Sequence, residues 1–325
     1  MKNTILVYGW YNQGNVGDEL FKEAFKHLFP EYQFIFIDKI TKNSLKDVAA
    51  VFIGGGSFLY APLNMEDGAF ELLKQQKLFY IGMGPETAIH NEHVELMKGA
   101  KLIAVRSTVQ SDVIRNINPN TLVIPDIVYS LQSLVKKESP RDRSVLIIPN
   151  TAVVPSWQDP NWKHAAWNYF KSEFAQFLDT LVDSGYSIKF LAMCQNQKSD
   201  DHYAAIEIIN HMSNKESNLL LNDSLASIEE VTQVISGYST VVTQRFHGIV
   251  LAEMARVPYV SLYHHDKLKH CSPGDGIFLS YYGITKVQLL SGFKNAQKKF
   301  STPIPIETNI FEGLRDSVLQ LIDDG

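Results

Sequence analysis

An arginine and a histidine, two positions apart, interrupt an apolar segment in the second half of the chain. The segment "TVVTQRFHGIVLAEMA" runs from Thr240 to Ala255 and contains Arg245 and His247. A guanidinium suits phosphate or carboxylate, because its N–H donors match two oxygens. An imidazole can transfer a proton near neutral pH. The pair predicts a site that binds an anion and moves a proton; a histidine that only caps a helix would give the same pattern.

The apolar residues around this break predict how the pair is held. They indicate a strand that ends near Gln244 and a following helix that is buried, because it is apolar on most faces. If the chain stays extended from Arg245 to His247, these two side chains point the same way and Phe246 turns into the protein. The N-terminus of the helix adds N–H groups and partial positive charge. We therefore expect both side chains to contact one ligand.

Glycine-rich turns follow strands in the first half of the chain. "GWYNQGNVGDE", Gly9 to Glu19, follows the first predicted strand and opens the first helix, with Asp18 as a plausible helix-start residue. It matches neither the Walker phosphate-binding loop nor the dinucleotide motif, so ATP and NAD are not favoured. "VFIGGGSFLY" and "YIGMGPE" place Gly54–Gly56 and Gly84 where a ligand could approach closely. Glycines that serve only tight turns would give the same pattern.

A further arginine ends a strand in this half. Arg106 closes the run "KLIAVR". An arginine at a strand end predicts either an anion ligand or an ion pair on the protein surface. Both interpretations stay open at this point.

Two series of short apolar runs alternate with helix-like segments. Runs without polar alternation are typical of parallel strands buried on both faces. The runs are "TILVYG", "QFIFID", "AAVFIGGG", "LFYIGMG", "KLIAVR" and "TLVIPD", then "SVLIIPN", "SIKFLAM", "NLLLND", "STVVTQ" and "PYVSLY". The pattern predicts an α/β protein with two doubly wound, Rossmann-like domains.

The domain boundary is predicted at residues 132–144, which are charged and contain Pro140. We expect an N-terminal domain at 1–135, a C-terminal domain at 145–300, and a last helix within 301–325 that could pack back on the first domain. Open α/β sheets bind ligands at the carboxyl ends of their strands. We therefore expect the functional site in a cleft between the two domains.

Composition excludes several classes of function. Net charge is −5, and the 30 Lys and Arg residues form no basic run, so nucleic acid is not an expected partner. Cys194 and Cys271 lie far apart, which predicts neither a disulfide framework nor a metal site and fits a reducing cytoplasm. No signal segment is visible, and no run approaches the roughly 20 apolar residues of a transmembrane helix. We expect a cytoplasmic protein.

Taken together, these motifs resemble those of the polysaccharide pyruvyltransferases. Six segments, which span most of the chain, are similar in type and order: "GWYNQGNVGDE", "IGGGSFL", "GMGP", "VRSTVQSDVI", "IPDIVYSL" and "TQRFHGIVLAEMARVPYVSL". The sequence departs from the family where Ser107 replaces an acidic residue and Phe246 replaces leucine. It also has Glu86 and Thr87 where some relatives carry a histidine linked to the ligand. Where the family has a "YDPK"-like segment, this sequence has "YHHDKLKH", in which Asp266 and Lys267 correspond to the family's aspartate and lysine.

The resemblance implies a glycosyltransferase-B-like pair of domains that transfers pyruvate from phosphoenolpyruvate to a sugar, usually as a cyclic ketal. It implies no cofactor and no metal. The glycan acceptor is left open between a free nucleotide sugar, a lipid-linked oligosaccharide and a polymer. The resemblance assigns catalysis to His247 and Arg245, donor binding to Arg106, Arg245, Gly55, Gly56 and Gly84, and acceptor binding to Asn15, Asp18, Glu19 and Lys267.

Two other functions fit the same residues. A nucleotide-sugar glycosyltransferase of the same shape would bind a diphosphate at the helix N-terminus beside Arg245. A non-catalytic sugar-binding or assembly protein would keep the fold and would need neither Arg245 nor His247. Fold alone does not separate these functions.

Overall fold

A computed structural model describes residues 3–84, 88–150, 160–196, 199–214, 218–220, 227–263, 268, 274, 276–299 and 309–323. The chain divides into two units. Unit 1 comprises Met1–Gln13, Asp18–Ser133 and Pro305–Gly325, and unit 2 comprises Gly14–Gly17 and Leu134–Ile304. The short segment Gly14–Gly17, between the first strand and the body of the first helix, thus packs with the second unit.

Unit 1 is built on a parallel six-stranded sheet in the order β2-β1-β3-β4-β5-β6. Its strands are β1 (Thr4–Tyr8), β2 (Gln33–Ile37), β3 (Ala50–Gly56), β4 (Leu78–Met83), β5 (Leu102–Val105) and β6 (Thr121–Val123). Its first helices are α1 (Val16–Leu28), α2 (Ala69–Lys74), α3 (Asn91–Gly99) and α4 (Ser111–Ile117), followed by a 3₁₀ segment (Ile127–Leu134). The strand order reverses between β1 and β3, which marks a ligand-binding crevice in open sheets.

Unit 2 contains a second parallel six-stranded sheet and a short antiparallel ribbon. The strands are β7 (Arg141–Ile148), β8 (Ser187–Leu191), the ribbon strands β9 (Gln195–Asn196) and β10 (Ser199–Asp200), β11 (Asn218–Leu220), β12 (Tyr238–Thr243), β13 (Tyr259–Tyr263) and β14 (Ile277–Ser280). The helices are α5 (Pro160–Asp183), α6 (Asp201–His211), α7 (Ile228–Ser236), α8 (Phe246–Ala255) and α9 (Lys286–Lys299).

The second sheet has the order β11-β8-β7-β12-β13-β14. Counted along the unit, this is the 3-2-1-4-5-6 order of dinucleotide-binding Rossmann domains. Its order reverses between β7 and β12, where ligands of such sheets bind. The prediction of two Rossmann-like α/β domains is confirmed.

The apolar runs form strands that are buried on both faces of the sheet. Every residue of β3, β4 and β5 is buried. Helix α1 buries the predicted stripe of Leu20, Ala24, Phe25 and Leu28.

The C-terminal helix α10 (Asn309–Asp323) lies in the part of the chain that groups with unit 1. It buries Phe311, Leu314, Val318 and Ile322. Arg315 pairs with Glu31 at 3.0 Å, and the Lys77 ammonium donates to the carbonyl of Ile322. The last helix therefore completes the core of the first unit.

A buried histidine makes the stability of unit 1 depend on pH. His93 in α3 is fully buried with its Nδ1 3.2 Å from the Tyr80 hydroxyl, and burial lowers its pKa from 6.5 to about 4. The unfolded chain therefore takes up this proton at a higher pH than the folded chain, so stability falls as pH drops from 6.5 toward 4.

Between pH 7 and pH 5, His93 should lower the free energy of unfolding of the wild type by about 2 kcal/mol. We expect His93→Gln to lack this loss. Glutamine keeps an acceptor for Tyr80 but takes up no proton. Urea unfolding at the two pH values measures the difference. An identical pH dependence in the wild type and the variant would contradict the assignment.

Candidate functional site

Arg245 and His247 lie where strand β12 is followed by helix α8. Arg245 is the N-cap residue of α8 and is extended, with φ −105° and ψ 138°. The helix begins at Phe246, so the condition of extended chain through His247 is not met, and a common direction of the two side chains no longer follows from strand alternation. The helix begins before His247 because Phe246, which is 7% exposed, is buried together with the apolar residues that follow it. Arg245 and His247 are both half-buried, while Phe246 is buried.

This strand end lies at the crevice between β7 and β12, where the strand order of the second sheet reverses. The N–H of Gln244 donates to the carbonyl of Ile148 at 2.9 Å, and the N–H of Asn150 donates to Gln244 Oε1 at 3.0 Å. These bonds tie the carboxyl end of β12 to that of β7. Arg245 and His247 therefore stand where open α/β sheets bind their ligands.

A buried carboxylate fixes the guanidinium of Arg245. Its Nε donates to Asp201 Oδ2 at 3.1 Å, and its Nη2 donates to the other oxygen, Oδ1. Asp201, at the start of α6, is fully buried and also accepts the N–H groups of Met193 and Cys194 at 3.1 and 3.0 Å. A two-point pair of this kind holds the guanidinium in one plane.

The ionisation of Asp201 is set by two opposing effects. Burial raises the pKa of the Asp201 carboxyl above its usual range, and the Arg245 guanidinium opposes that rise. Sequence reasoning missed Asp201, because it lies 44 positions from its partner and follows another aspartate at an ordinary helix start.

The segment Gly14–Gly17 packs beside this strand end. The N–H of Val16 donates to the carbonyl of Met193, and the N–H of Gln195 donates to the carbonyl of Gly14, both at 2.8 Å. Asn15, predicted to bind the acceptor, lies opposite Cys194 in an isolated antiparallel bridge. Its Oδ1 accepts the N–H of Gly17 at 3.1 Å. The loop is thus held by backbone bonds to unit 2.

Gly17 lies directly against the imidazole of His247. A Cβ built on Gly17 would lie 2.0 Å from Nδ1 and 2.5 Å from Cγ of that ring. Because these distances are far inside van der Waals contact, any larger residue at position 17 would displace the ring or the loop. The structure therefore brings the glycine loop and His247 together within unit 2.

In unit 1, the predicted glycines lie at the carboxyl ends of β3 and β4. Gly55 has a φ of 76°, and a Cβ built there would lie 2.7 Å from the Phe21 ring, so glycine is required. The N–H of Gly84 donates to the carbonyl of Gly56 at 2.9 Å. A Cβ on Gly56 would lie 3.5 Å from Asp18 Oδ1, which puts the Asp18 carboxylate at the same turn.

Arg106 is in contact with other protein groups. Its Nη1 donates to Asp126 Oδ2 at 2.6 Å and its Nη2 to Ser57 Oγ at 2.8 Å. The side chain is only 3% exposed, so the ion pair is buried and not on the surface. Donor binding by Arg106 stays a prediction, and the ligand would have to share the guanidinium with Asp126.

The remaining predicted acceptor residues differ in their surroundings. Glu19 Oε1 accepts the N–H of Asn12 at 2.6 Å, and its Oε2 pairs with Lys22. Lys267 lies outside the described residues, as do Asp266, Glu86 and Thr87.

The described part of the chain has neither a metal-binding cluster nor a membrane-spanning helix. In this part, no three His, Cys, Asp or Glu side chains group together in a way that could hold a metal ion. Within the same ranges, no helix has both the length and the apolarity needed to cross a bilayer.

Comparisons with known proteins bear on both the family and the fold. The family model for polysaccharide pyruvyl transferase matches residues 15–266. No curated protein matches this sequence.

Solved structures of similar fold include UDP-GlcNAc 2-epimerase from Methanocaldococcus jannaschii in complex with UDP-GlcNAc and UDP. It is 8% identical, has a TM-score of 0.61, and the alignment covers 100% of both chains. The S. aureus MnaA–UDP structure is 9% identical, with a TM-score of 0.64 and coverage of 99% of this chain and 97% of that one. UDP-GlcNAc 2-epimerase from Neisseria meningitidis bound to UDP-GlcNAc is 8% identical, with a TM-score of 0.57 and coverage of 98% and 99%. At these identities the likeness shows the fold alone, which is of the GT-B type.

Proposed function

Because the chain belongs to the polysaccharide pyruvyl transferase family, we propose that it moves the pyruvyl group of phosphoenolpyruvate to two hydroxyls of a sugar. The product is a cyclic ketal, made in the cytoplasm during surface polysaccharide biosynthesis. One observation carries the proposal: Arg245 occupies the N-cap position of α8 and His247 lies on its first turn, both half-buried at the β7–β12 crevice. An anion-binding group and a proton carrier thus occupy one strand end.

The anion-binding part of the site suits this donor. Phosphoenolpyruvate carries a phosphate and a carboxylate, and the N-terminus of α8 presents N–H groups and partial positive charge to either. Arg245 adds a guanidinium whose plane Asp201 fixes, and the donor would share that guanidinium with the Asp201 carboxylate. Further donor contacts are proposed for Arg106, Gly55, Gly56 and Gly84 on the family resemblance.

The proton-transfer part of the site supplies the chemistry. We propose that His247 protonates the methylene carbon of the enol, so that positive charge develops on the carbon bearing the phosphate. A sugar hydroxyl adds to that carbon and returns its proton to His247. The carbon–oxygen bond to phosphate then breaks, and a second hydroxyl closes the ketal while its proton leaves with phosphate. Arg245 and the helix N-terminus stabilise the charge on the departing phosphate.

Acceptor contacts are proposed at Asn15, Asp18, Glu19 and Lys267. Asp18 is the first choice for orienting a sugar hydroxyl, because its carboxylate lies at the turn of Gly56. Glu19 is the second choice, because its carboxylate already binds the N–H of Asn12 and the ammonium of Lys22. The glycan itself is not identified by these side chains.

Thermal unfolding in the presence of candidate donors tests the proposed function. Phosphoenolpyruvate at about 100 times its Kd should stabilise the protein by about 2.7 kcal/mol, and a UDP-sugar should leave the Tm unchanged. Stabilisation by UDP-sugars and not by phosphoenolpyruvate would instead support a nucleotide-sugar glycosyltransferase. No shift with either donor would favour a non-catalytic protein.

The contact between Gly17 and His247 leads to a further expectation. Gly17→Ala should lower the rate of phosphate release by about 10²-fold, because the added methyl group moves the imidazole away from its working position. Gly99→Ala and Gly313→Ala are matched controls, since a Cβ at either position meets nothing within 4 Å. Steady-state rates with phosphoenolpyruvate measure the effect. A Gly17→Ala enzyme as active as the two controls would show that the ring position does not matter.

A further inference from the structure

A buried amide lies at the same strand end as Arg245 and His247. Gln244 connects β12 to Arg245 and is 3% exposed. Its backbone N–H and its Oε1 are used in the two bonds to the end of β7 described above. Among the residues that the structure describes, its Nε2 is buried and has no hydrogen-bond acceptor.

The orientation of this amide follows from its neighbour. The backbone N–H of Asn150 can only donate, so the atom that it meets must be the side-chain oxygen of Gln244. The NH₂ group therefore occupies the other branch of the amide. Buried donors are almost always paired in folded proteins, and leaving one without a partner is costly. A ligand oxygen bound at this strand end would supply the acceptor that the Gln244 amide lacks.

The chemistry around Gln244 selects the kind of acceptor. The amide NH₂ only donates, and the N-terminus of α8 presents further N–H groups with partial positive charge, while the charge of Arg245 is balanced by Asp201. Ten residues of helix follow, all but His247 buried, so this end of the helix is firmly held. Donors in a positive field favour an oxyanion over a neutral hydroxyl.

We propose that Gln244 Nε2 donates a hydrogen bond to an oxyanion of the bound donor and thereby contributes to donor specificity. This inference rests on the proposed function for the identity of the donor, phosphoenolpyruvate. The oxyanion is either its carboxylate or its phosphate, and the two are distinguished by binding pyruvate and inorganic phosphate separately.

Two substitutions separate the donor role of Gln244 from its structural role. Gln244→Glu keeps an oxygen for the Asn150 N–H but replaces the amide donor by a negative charge. Gln244→Met removes both polar atoms at similar length. Gln233→Met is the matched control, because Gln233 is exposed on α7, where its amide donates to Glu138. The Tm of each protein without ligand shows whether it is folded.

Calorimetric binding of phosphoenolpyruvate, pyruvate, inorganic phosphate and UDP to these proteins tests the inference. We expect the Kd for phosphoenolpyruvate to rise about 10-fold in Gln244→Met and about 100-fold in Gln244→Glu, with no change in Gln233→Met. A parallel loss for pyruvate assigns the bond to the carboxylate, and a parallel loss for phosphate assigns it to the phosphate.

The outcomes for the inference and for the proposed function are distinct. Equal binding by the wild type and both folded Gln244 variants would overturn the inference while leaving the proposed function intact. A wild type that binds UDP but not phosphoenolpyruvate would overturn the proposed function, and the inference would then stand only if the Gln244 variants weaken UDP binding. A wild type that binds none of the four probes would overturn both.

Discussion

Replacing His247 with glutamine is expected to slow phosphate release from phosphoenolpyruvate by about 10²- to 10⁴-fold. Glutamine keeps a polar side chain on the first turn of α8 but cannot deliver a proton to the enol carbon. Because Arg245 and the helix N-terminus stay in place, binding of the donor should change little. The expected signature is therefore a large fall in kcat with a KM for phosphoenolpyruvate close to that of the wild type.

The matched control for this change is His211→Gln. His211 is exposed at the end of α6, where its Nδ1 lies 2.8 Å from the carbonyl of Glu207. It should leave both kcat and KM unchanged. Near-wild-type turnover by His247→Gln would show that another group supplies the proton, and the proposed mechanism would be wrong.

Replacing Arg245 with lysine should lower kcat/KM for phosphoenolpyruvate by about 10²-fold, chiefly by raising KM. Lysine keeps a positive charge beside Asp201 but loses the two-point geometry that fixes the guanidinium. A 10²-fold loss corresponds to about 2.7 kcal/mol of binding free energy. Steady-state kinetics over a range of phosphoenolpyruvate concentrations separates the two parameters.

A second pair of variants separates the binding role of Arg245 from its role in folding. Arg245→Met leaves Asp201 as a buried carboxylate without its cation, which should destabilise the fold by about 3–5 kcal/mol. Adding Asp201→Asn removes that charge, so stability should largely recover while phosphoenolpyruvate binding does not. If the double variant regained wild-type KM, Arg245 would be a structural residue only.

Most of the fold could be predicted from the sequence. Strands buried on both faces leave continuous apolar runs, and eleven such runs coincide with strands of the two sheets. Strand β14 was missed, because its residues are half-buried or exposed. The polar start of β7, Arg141 to Arg143, was read as linker because its side chains are exposed. The order of the strands and the grouping of Gly14–Gly17 with unit 2 depend on long-range packing that local patterns do not encode.

The candidate site could be predicted only in part. Residue type and strand-end position were sufficient to single out Arg245, His247 and the glycine turns. Asp201 was missed because its pairing with Arg245 joins residues 44 positions apart, and a buried aspartate looks like an ordinary helix cap in sequence. For Arg106, sequence left open an ion pair or an anion ligand; the structure shows a buried pair with Asp126.

Phosphate release from phosphoenolpyruvate, measured against a panel of acceptor sugars together with the mass of each product, tests the proposed reaction most directly. The account predicts that one acceptor class yields phosphate in equal amount to a product heavier by one pyruvyl ketal, and that His247→Gln yields neither. Folded protein that releases no phosphate with any acceptor, or that adds a sugar from a UDP-sugar to the same acceptors, would contradict it.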